Sequence, residues 1–198
     1  CLAMAGQSTI SKGDVVYRMV SDSDPTKGVK VYGVNDGCPS KLDIPSYIEI
    51  NGQKAPVTGI NKLASEVITE VDIESAEVGF RSFTIVRDAF SGCNNLEKVT
   101  LPSDLSKIHA LCFLNTLLKT VVLNSESLPE NSMISVLGSE NIINDYKIFI
   151  SGVKLFVPDN SVDTYKNDNS PVDLEGEWPV KGFWSAFDVR PISELSGE

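Results

Sequence analysis

His109 is the only histidine in the sequence, so any Ser/His/Asp or Cys/His catalytic site must use it, with Cys112 as a nearby nucleophile. Such a site also needs a third group that orients the base, and no recognisable motif supplies one. The position of His109 after Ile108 resembles an exposed turn. The sequence also lacks a P-loop, a Gly-x-Gly-x-x-Gly and a His-Glu-x-x-His motif. We therefore expect a protein that is not an enzyme, with a hydrolase as the weaker alternative.

The four cysteines allow two interpretations. In an exported chain, Cys1, Cys38, Cys93 and Cys112 can form two disulfides with one of three connectivities. Alternatively they are mostly free, because a chain of this length does not need disulfides and free cysteine is commonly buried. We favour free thiols. No Cys-x-x-Cys pair occurs, and a single histidine cannot complete a Cys2His2 zinc site.

The loop Asp22–Gly28 invites comparison with a calcium site. An EF-hand loop needs Gly at its sixth position and Glu at its twelfth, whereas here Gly28 is seventh and Gly33 is twelfth. An ordinary turn is therefore expected, and the sequence predicts no metal site and no cofactor.

The charge balance excludes one class of partner. The 198-residue chain carries 17 Lys and Arg against 27 Asp and Glu, a net charge of −10. Affinity for nucleic acid comes from clustered Lys and Arg, so nucleic acid is not an expected partner. No apolar run approaches the length of about 18 residues that a membrane-spanning helix needs. The acidic residues are scattered along the sequence, which is typical of a solvated surface. A glycosidase site needs two carboxylates at a defined distance in space, and the sequence alone neither identifies nor excludes such a pair.

The first residues favour export. Ala3-Met4-Ala5 matches the small-residue end of a secretory signal. Either residues 1–9 are the remnant of such a signal, with the mature chain starting near Gly6, or Cys1 is the acylated first residue of a bacterial lipoprotein. The alternative to both is an Ala-rich start without meaning. We expect location at the bacterial cell surface, in the periplasm or outside the cell, with membrane contact only through a lipid on Cys1.

A repeated pattern predicts how these residues are positioned. The segment Ala89–Pro102 spaces its apolar residues by three, three, three and two, which suits a short helical turn followed by a strand with one buried face. About 22 residues later the pattern returns in weaker form around Phe113 and Val121–Leu123, and Val71–Ile73 reads as an earlier strand. One strand per unit of 20–29 residues is typical of leucine-rich repeats. The residues expected in one core are Phe90, Cys93, Leu96, Val99 and Leu101.

Three segments resemble one family, the BspA-like leucine-rich-repeat proteins of bacterial surfaces, found especially in Bacteroides and relatives. Ala-Phe-x-x-Cys-x-x-Leu-x-x-Val-x-Leu-Pro at 89–102 is similar to the family's repeat. Ile44–Ser46 followed by Asn51–Ile60 is similar to its first unit, and Leu155–Lys166 with Trp184–Phe187 to its closing segments. The resemblance covers roughly residues 15–192 and implies that Cys93 is a buried, unpaired core residue.

The expected architecture is α/β and β-rich: a short, irregular leucine-rich-repeat solenoid in a single domain over residues 10–198. Residues 10–63 form an N-terminal β cap, 64–157 the repeats and 158–198 a C-terminal cap. The solenoid should be irregular, because the second unit lacks the Cys, residues 125–150 show no clear repeat and 167–182 look like an insertion.

The two caps have their own signals. Strands around 15–20 and 29–34 predict one hairpin, and 42–50 with 55–60 a second hairpin across Asn51-Gly52, the favoured dipeptide for a two-residue turn. Lys154–Val157 is expected to be the last strand, followed by a short helix that Asp159 or Asn160 caps and that runs through Tyr165. A cluster of aromatic residues then either packs over the last repeat, which we favour, or forms an exposed platform for sugar or peptide. Its members are Trp178, Phe183, Trp184 and Phe187.

Strand alternation predicts a binding face. If the apolar residues of 70–73, 98–101 and 120–123 face inward, the intervening side chains face outward on the concave side that leucine-rich-repeat proteins commonly use. The candidate binding residues are Glu70, Asp72, Lys98, Thr100, Thr120 and Val122. Three strands make a strip only about 10 Å wide. Contact there is therefore expected to be weak or to need the loops 21–28 or 167–182, and the alternative is a merely solvated sheet.

The resemblance implies adhesion or protein–protein recognition. We expect a non-enzymatic, exported binding module whose partner is a protein, either a host matrix protein or another envelope protein. A carbohydrate-associated surface lipoprotein that uses the aromatic cluster near Trp184 is the alternative, and a capped scaffold joined to other subunits is a third interpretation.

Overall fold

The structure is a computed structural model, and it describes residues 9–76, 82–109, 111–132, 150–170 and 182–197. These residues are rich in β-strand and include the short α-helix α1 (Val162–Lys166), preceded by the 3₁₀ turn Asp159–Ser161. The strands are β1 (Thr9–Lys12), β2 (Val15–Met19), β3 (Val29–Val34), β4 (Lys41–Ile44), β5 (Tyr47–Ile50), β6 (Gln53–Ile60), β7 (Glu70–Ile73), β8 (Phe83–Ile85), β9 (Lys98–Leu101), β10 (Leu105–His109), β11 (Thr120–Leu123), β12 (Glu130–Ser132), β13 (Lys154–Val157) and β14 (Asp188–Pro191).

The strands form two sheets, and from β6 to β13 the chain alternates between them. Sheet I has the order β1-β2-β3-β6-β8-β10-β12, with β5 paired to β6, and sheet II has the order β14-β13-β11-β9-β7-β4. Every pairing in sheet II is parallel. Each time the chain goes from sheet I to sheet II and back, it adds one strand to each sheet. The apolar side chains between the two sheets form one core.

The repeat pattern at 89–102 packs as the sequence predicts. Its five apolar residues are no more than 2% exposed and belong to the same core. Phe90 stacks on Phe113, its counterpart in the next unit, with ring centroids 5.3 Å apart. Gly92 forms a parallel bridge with Ala64, and a Cβ at residue 92 would overlap Ala64. The spacing thus places equivalent residues of successive units directly against each other.

The N-terminal part confirms one predicted hairpin and corrects the other. Strands β2 and β3 pair antiparallel, as expected. In the second hairpin only β5 pairs with β6, across Asn51 and Gly52, whose φ angles of 51° and 77° are those of the expected two-residue turn. Lys41–Ile44 is a separate strand in sheet II, because Pro45 interrupts the run and the Ser46 amide binds the Glu74 side chain instead of a strand.

The C-terminal part also differs from expectation in two details. β13 is not the last strand, since β14 pairs with it in parallel. Asp159 does not cap the short helix; its Oδ1 accepts a hydrogen bond from the Ser193 amide, 3.1 Å away. The contact ties the start of the 3₁₀ turn at 159–161 to the last described turn of the chain.

The closing aromatic residues are buried. Phe183, Trp184 and Phe187 are 4%, 1% and 5% exposed, so they do not form an exposed platform. The indole Nε1 of Trp184 donates to the Pro129 carbonyl at 3.0 Å, and its backbone amide donates to Oδ2 of the buried Asp168 at 2.9 Å. Trp178 lies outside the described residues.

Three of the four cysteines confirm the free-thiol interpretation. Cys38, Cys93 and Cys112 are unpaired and buried, while Cys1 lies outside the described residues. Burial raises the pKa of Cys93 to about 11, so its thiol is protonated and unreactive near neutral pH. The side chain acts there as a small apolar residue of the core, as the resemblance implied.

His109 is the clearest correction in the core. It is the last residue of β10 and only 5% exposed, not part of an exposed turn. Its Nδ1 accepts a hydrogen bond from the Leu111 amide at 3.2 Å, and Nε2 has no partner among the described residues. Burial, and next the positive charge of Arg87, lower the pKa of His109 to about 4. The folded state therefore holds a neutral imidazole.

Replacing Leu101 by Asp tests the core. Leu101 is 2% exposed, and an unpaired carboxylate there should cost about 4 kcal/mol or more of unfolding free energy. The matched control is Thr120→Asp, which adds the same charge on the other side of sheet II between Lys98 and Lys154 and should change stability little. Urea unfolding measures both. Equal unfolding midpoints for Leu101→Asp and the wild type would refute the core assignment.

His109 predicts a specific acid sensitivity. Its pKa is lower in the folded state than the usual 6.5, so the unfolded chain binds the proton more readily and stability falls as the pH drops from about 6.5 to about 4. Between pH 7 and pH 4 the wild type should lose about 3 kcal/mol more unfolding free energy than His109→Asn. Asn keeps an acceptor for the Leu111 amide but does not titrate. Parallel pH profiles of the two proteins would contradict the burial of a neutral imidazole.

Candidate interaction surface

Two rows of side chains point away from the core on sheet II. They arise because strand side chains alternate and the parallel strands keep a common register. We call these two rows the outer face. The first row is Lys41, Glu70, Lys98, Thr120, Lys154 and Asp188, and the second is Asp43, Asp72, Thr100, Val122, Phe156 and Arg190.

The outer face is wider than the sequence predicts. Six strands at about 4.8 Å spacing span about 24 Å, not the 10 Å expected from three strands. The additional strands are β4, β13 and β14. A signal for β4 is present in the sequence, because Lys41–Ile44 and Glu70–Ile73 share the order charged, apolar, Asp, Ile. The second-hairpin interpretation of residues 42–60 obscured it.

The predicted charged residues meet in one cluster. Oε1 of Glu70 lies 3.1 Å from Nζ of Lys98 and 3.6 Å from Nζ of Lys41, and Lys41 also lies 3.9 Å from Oδ2 of Asp72. The Glu70, Asp72 and Lys98 side chains are 26%, 42% and 39% exposed. Ion pairs this exposed contribute little to stability. Their charges remain available to a partner in solution.

Thr100 and Thr120 lie in the two rows of the outer face as predicted, whereas Val122 is not an exposed binding residue. Thr100 is the register neighbour of Asp72, and Thr120 that of Lys98. Val122 is only 6% exposed, and its neighbour Phe156 is 1% exposed. Alternation correctly predicts that Val122 points away from the core, but it does not predict that the far end of the outer face is itself covered. Val122 is therefore not accessible to a partner.

A shallow depression of about 370 Å³ lies at the other end of the outer face, where β4 and β7 end. It is lined by acidic and apolar side chains. Oε2 of Glu74 accepts hydrogen bonds from the amide and hydroxyl of Ser46, at 2.8 and 3.0 Å, which fixes the wall of the depression. The lining residues are Asp43, Ile44, Pro45, Asp72 and Glu74.

The catalytic candidates lie in the core and not on this face. Burial raises the pKa of Cys112 well above its usual value, so the thiol is not the thiolate that nucleophilic catalysis needs. His109 binds the Leu111 amide through Nδ1. The two residues are joined through the backbone, where the Cys112 amide donates to the His109 carbonyl at 3.0 Å. This contact is a turn of the chain.

The loop at 21–28 is an ordinary turn. Oδ1 of Asp24 accepts hydrogen bonds from the amide and hydroxyl of Thr26, and these bonds lower the pKa of the Asp24 carboxyl. Among the described residues no group of three or more His, Cys, Asp or Glu side chains could hold a metal ion. In the same part of the chain, no helix is long and apolar enough to cross a membrane.

Comparison with known proteins relates part of this chain to a family. Residues 56–136 match the model of the "BspA type Leucine rich repeat region (6 copies)". No curated protein matches the sequence. A similar solved structure is that of a leucine rich cell surface protein from Faecalibacterium prausnitzii A2-165, with 17% identity, a TM-score of 0.49 and coverage of 81% of this chain and 39% of that one. The chain thus spans about two fifths of the length of that protein. The match over residues 56–136 confirms the resemblance to BspA-like leucine-rich-repeat proteins for that part of the chain.

Proposed function

We propose that the protein is a non-enzymatic recognition module that binds another protein through the outer face of sheet II. The observation that carries the proposal is the pair of register-aligned rows on six strands, whose polar side chains face solvent over β4, β7 and β9. A surface in which the backbone fixes the spacing of side chains is preorganised, and preorganisation lowers the entropic cost of binding.

The proposed architecture is a short, irregular leucine-rich-repeat solenoid with two caps. Residues 10–63 are the N-terminal cap, 64–157 the repeats and 158–198 the C-terminal cap. Support comes from the antiparallel strands that extend sheet I and from the buried Trp184, which is anchored to Pro129 and Asp168. The edge strand β14 ends at Pro191, which has no amide hydrogen to offer another strand.

The size of the outer face limits the strength of binding. Strands of four residues and a width of about 24 Å give an area of about 300 Å², below the roughly 800 Å² per partner of a standard interface. A partner must therefore bind weakly or also contact the turns that flank the strands.

We place this activity at the bacterial cell surface, with adhesion to a host matrix protein or an envelope protein as its purpose. The match of residues 56–136 to BspA-type leucine-rich repeats supports this location. The burial of Phe183, Trp184 and Phe187 gives the carbohydrate-binding alternative no support.

A quadruple alanine variant tests the surface. Replacing Glu70, Asp72, Lys98 and Thr100 together should weaken binding about tenfold or more, because it removes the central polar side chains of the face. The unfolding free energy should change by less than about 1 kcal/mol, since these ion pairs are exposed. Surface plasmon resonance against purified host matrix proteins, with a glycan array in parallel, measures binding.

The matched control removes the same four residue types from exposed positions elsewhere in the described chain, with the same change in net charge. It carries alanine at Lys12, Glu49, Asp163 and Thr164. Its affinity should equal that of the wild type. Equal affinity of the outer-face variant and the control for a bound matrix protein would move the site away from this face, and binding to glycans alone would refute protein recognition.

A further inference from the structure

We infer that the partner presents an extended, lysine- or arginine-bearing segment to the part of the outer face formed by β4, β7 and β9. This inference rests on the proposed function and specifies the chemistry of its partner. It depends on how the charges of the two rows are arranged along the sheet.

The first step is the charge excess on these strands. The outward carboxylates of Asp43, Glu70 and Asp72 lie beside only two lysines, Lys41 and Lys98. Both lysines are drawn toward the same Glu70 oxygen, at 3.6 and 3.1 Å. Asp72 has only the longer contact of 3.9 Å to Lys41, and Asp43 is exposed and makes no ion pair within the described residues. The second row is therefore left with uncompensated negative charge.

The second step is the shape beside those carboxylates. The depression of about 370 Å³ has Pro45 in its wall beside the acidic groups, whereas the Ile44 side chain is 1% exposed and belongs to the core. Lysine and arginine bury an alkyl stem along apolar surface while the charged end stays near water or a carboxylate. The juxtaposition of an apolar wall with Asp43 and Asp72 fits such a side chain. An acidic or purely apolar side chain would leave Asp43 without an ion-pair partner among the described residues and Asp72 with only its 3.9 Å contact to Lys41.

The third step is the contrast with the other end of the face. There Val122 and Phe156 are buried, and the Arg190 guanidinium is bound by both oxygens of Asp188, each at 2.9 Å. That end has neither the depression nor an unpaired carboxylate of the second row. The asymmetry orients an extended partner, with its basic residues over β4 and β7. The net charge of −10 attracts such a segment from a distance.

Synthetic peptides test the inference without knowledge of the natural partner. The probe is a fluorescein-labelled ten-residue peptide of alternating Lys and Ser, with an alternating Glu and Ser peptide as its comparison, measured by fluorescence anisotropy in 50 and 300 mM NaCl. The 198-residue protein should bind the lysine peptide and not the glutamate peptide, and 300 mM NaCl should weaken the binding because these charges are exposed. In Asp43→Asn with Asp72→Asn the affinity should fall about tenfold.

The control variant is Asp14→Asn with Asp163→Asn, which removes two exposed acidic groups that belong to neither row of the outer face and changes the net charge equally. Its affinity should stay within about twofold of the wild type. Equal losses in the two double variants would show attraction to the net charge alone and overturn the inference, as would absence of lysine-peptide binding to the wild type. Melting temperatures of all variants should match. The matrix-protein assay with the quadruple alanine variant decides the proposed function separately, because a non-basic protein bound at this face would support that function while the peptides fail.

Discussion

The parallel register of sheet II is the constraint on which the rest of the structure depends. Each strand forms backbone hydrogen bonds with the next over the same three or four positions, so a shift of one residue would exchange the inward and outward side chains of the whole strand. The connections between the strands vary greatly in length, but the register of the paired strands stays the same. Connections can differ because loop closure costs little additional free energy, whereas a change of register would bury the charges of Glu70 or Lys98.

The core follows from the same constraint. Equivalent residues such as Phe90 and Phe113 stack because the strands that follow them are aligned, and Gly92 permits the close approach to Ala64 for the same reason. This packing leaves little room for polar groups. Asp168 is buried, and its two oxygens accept hydrogen bonds from the Ser170 and Trp184 amides, whereas one nitrogen of His109 has no partner in the part of the chain that the structure describes. Protonation of His109 at acidic pH therefore lowers the stability of the folded state.

The outer face consists of side chains that the core does not need, and the proposed recognition of a partner uses them. Its side chains are spaced by the backbone of six strands, yet they contribute little to stability, so their identity is free to serve recognition. The face is polar and predominantly negative over β4, β7 and β9, and covered over β11 and β13, where Val122 and Phe156 lie. The two ends of the outer face therefore differ in charge and exposure, which favours one orientation of a bound partner. This difference contributes more to specificity than the area of the face does.

The directions of the side chains were available from the sequence. The spacing of Phe90, Cys93 and Leu96 predicted the buried side of the repeat, and alternation predicted that Glu70, Asp72 and Lys98 face outward; both depend on local backbone geometry. The turn at Asn51-Gly52 was predictable for the same reason, because it depends on the positive φ angles of two adjacent residues.

The tertiary structure decided which segments meet. Lys41–Ile44 pairs with β7 in sheet II and does not form a hairpin. The sequence did not predict this pairing, because β7 lies 29 residues further along the chain and the local pattern fits both pairings equally well. His109 and Val122 carry no local mark of burial, since burial depends on the segments packed against a residue and not on its neighbours in sequence. Local periodicity therefore determined the direction of each side chain, whereas long-range contacts alone decided its neighbours and its exposure.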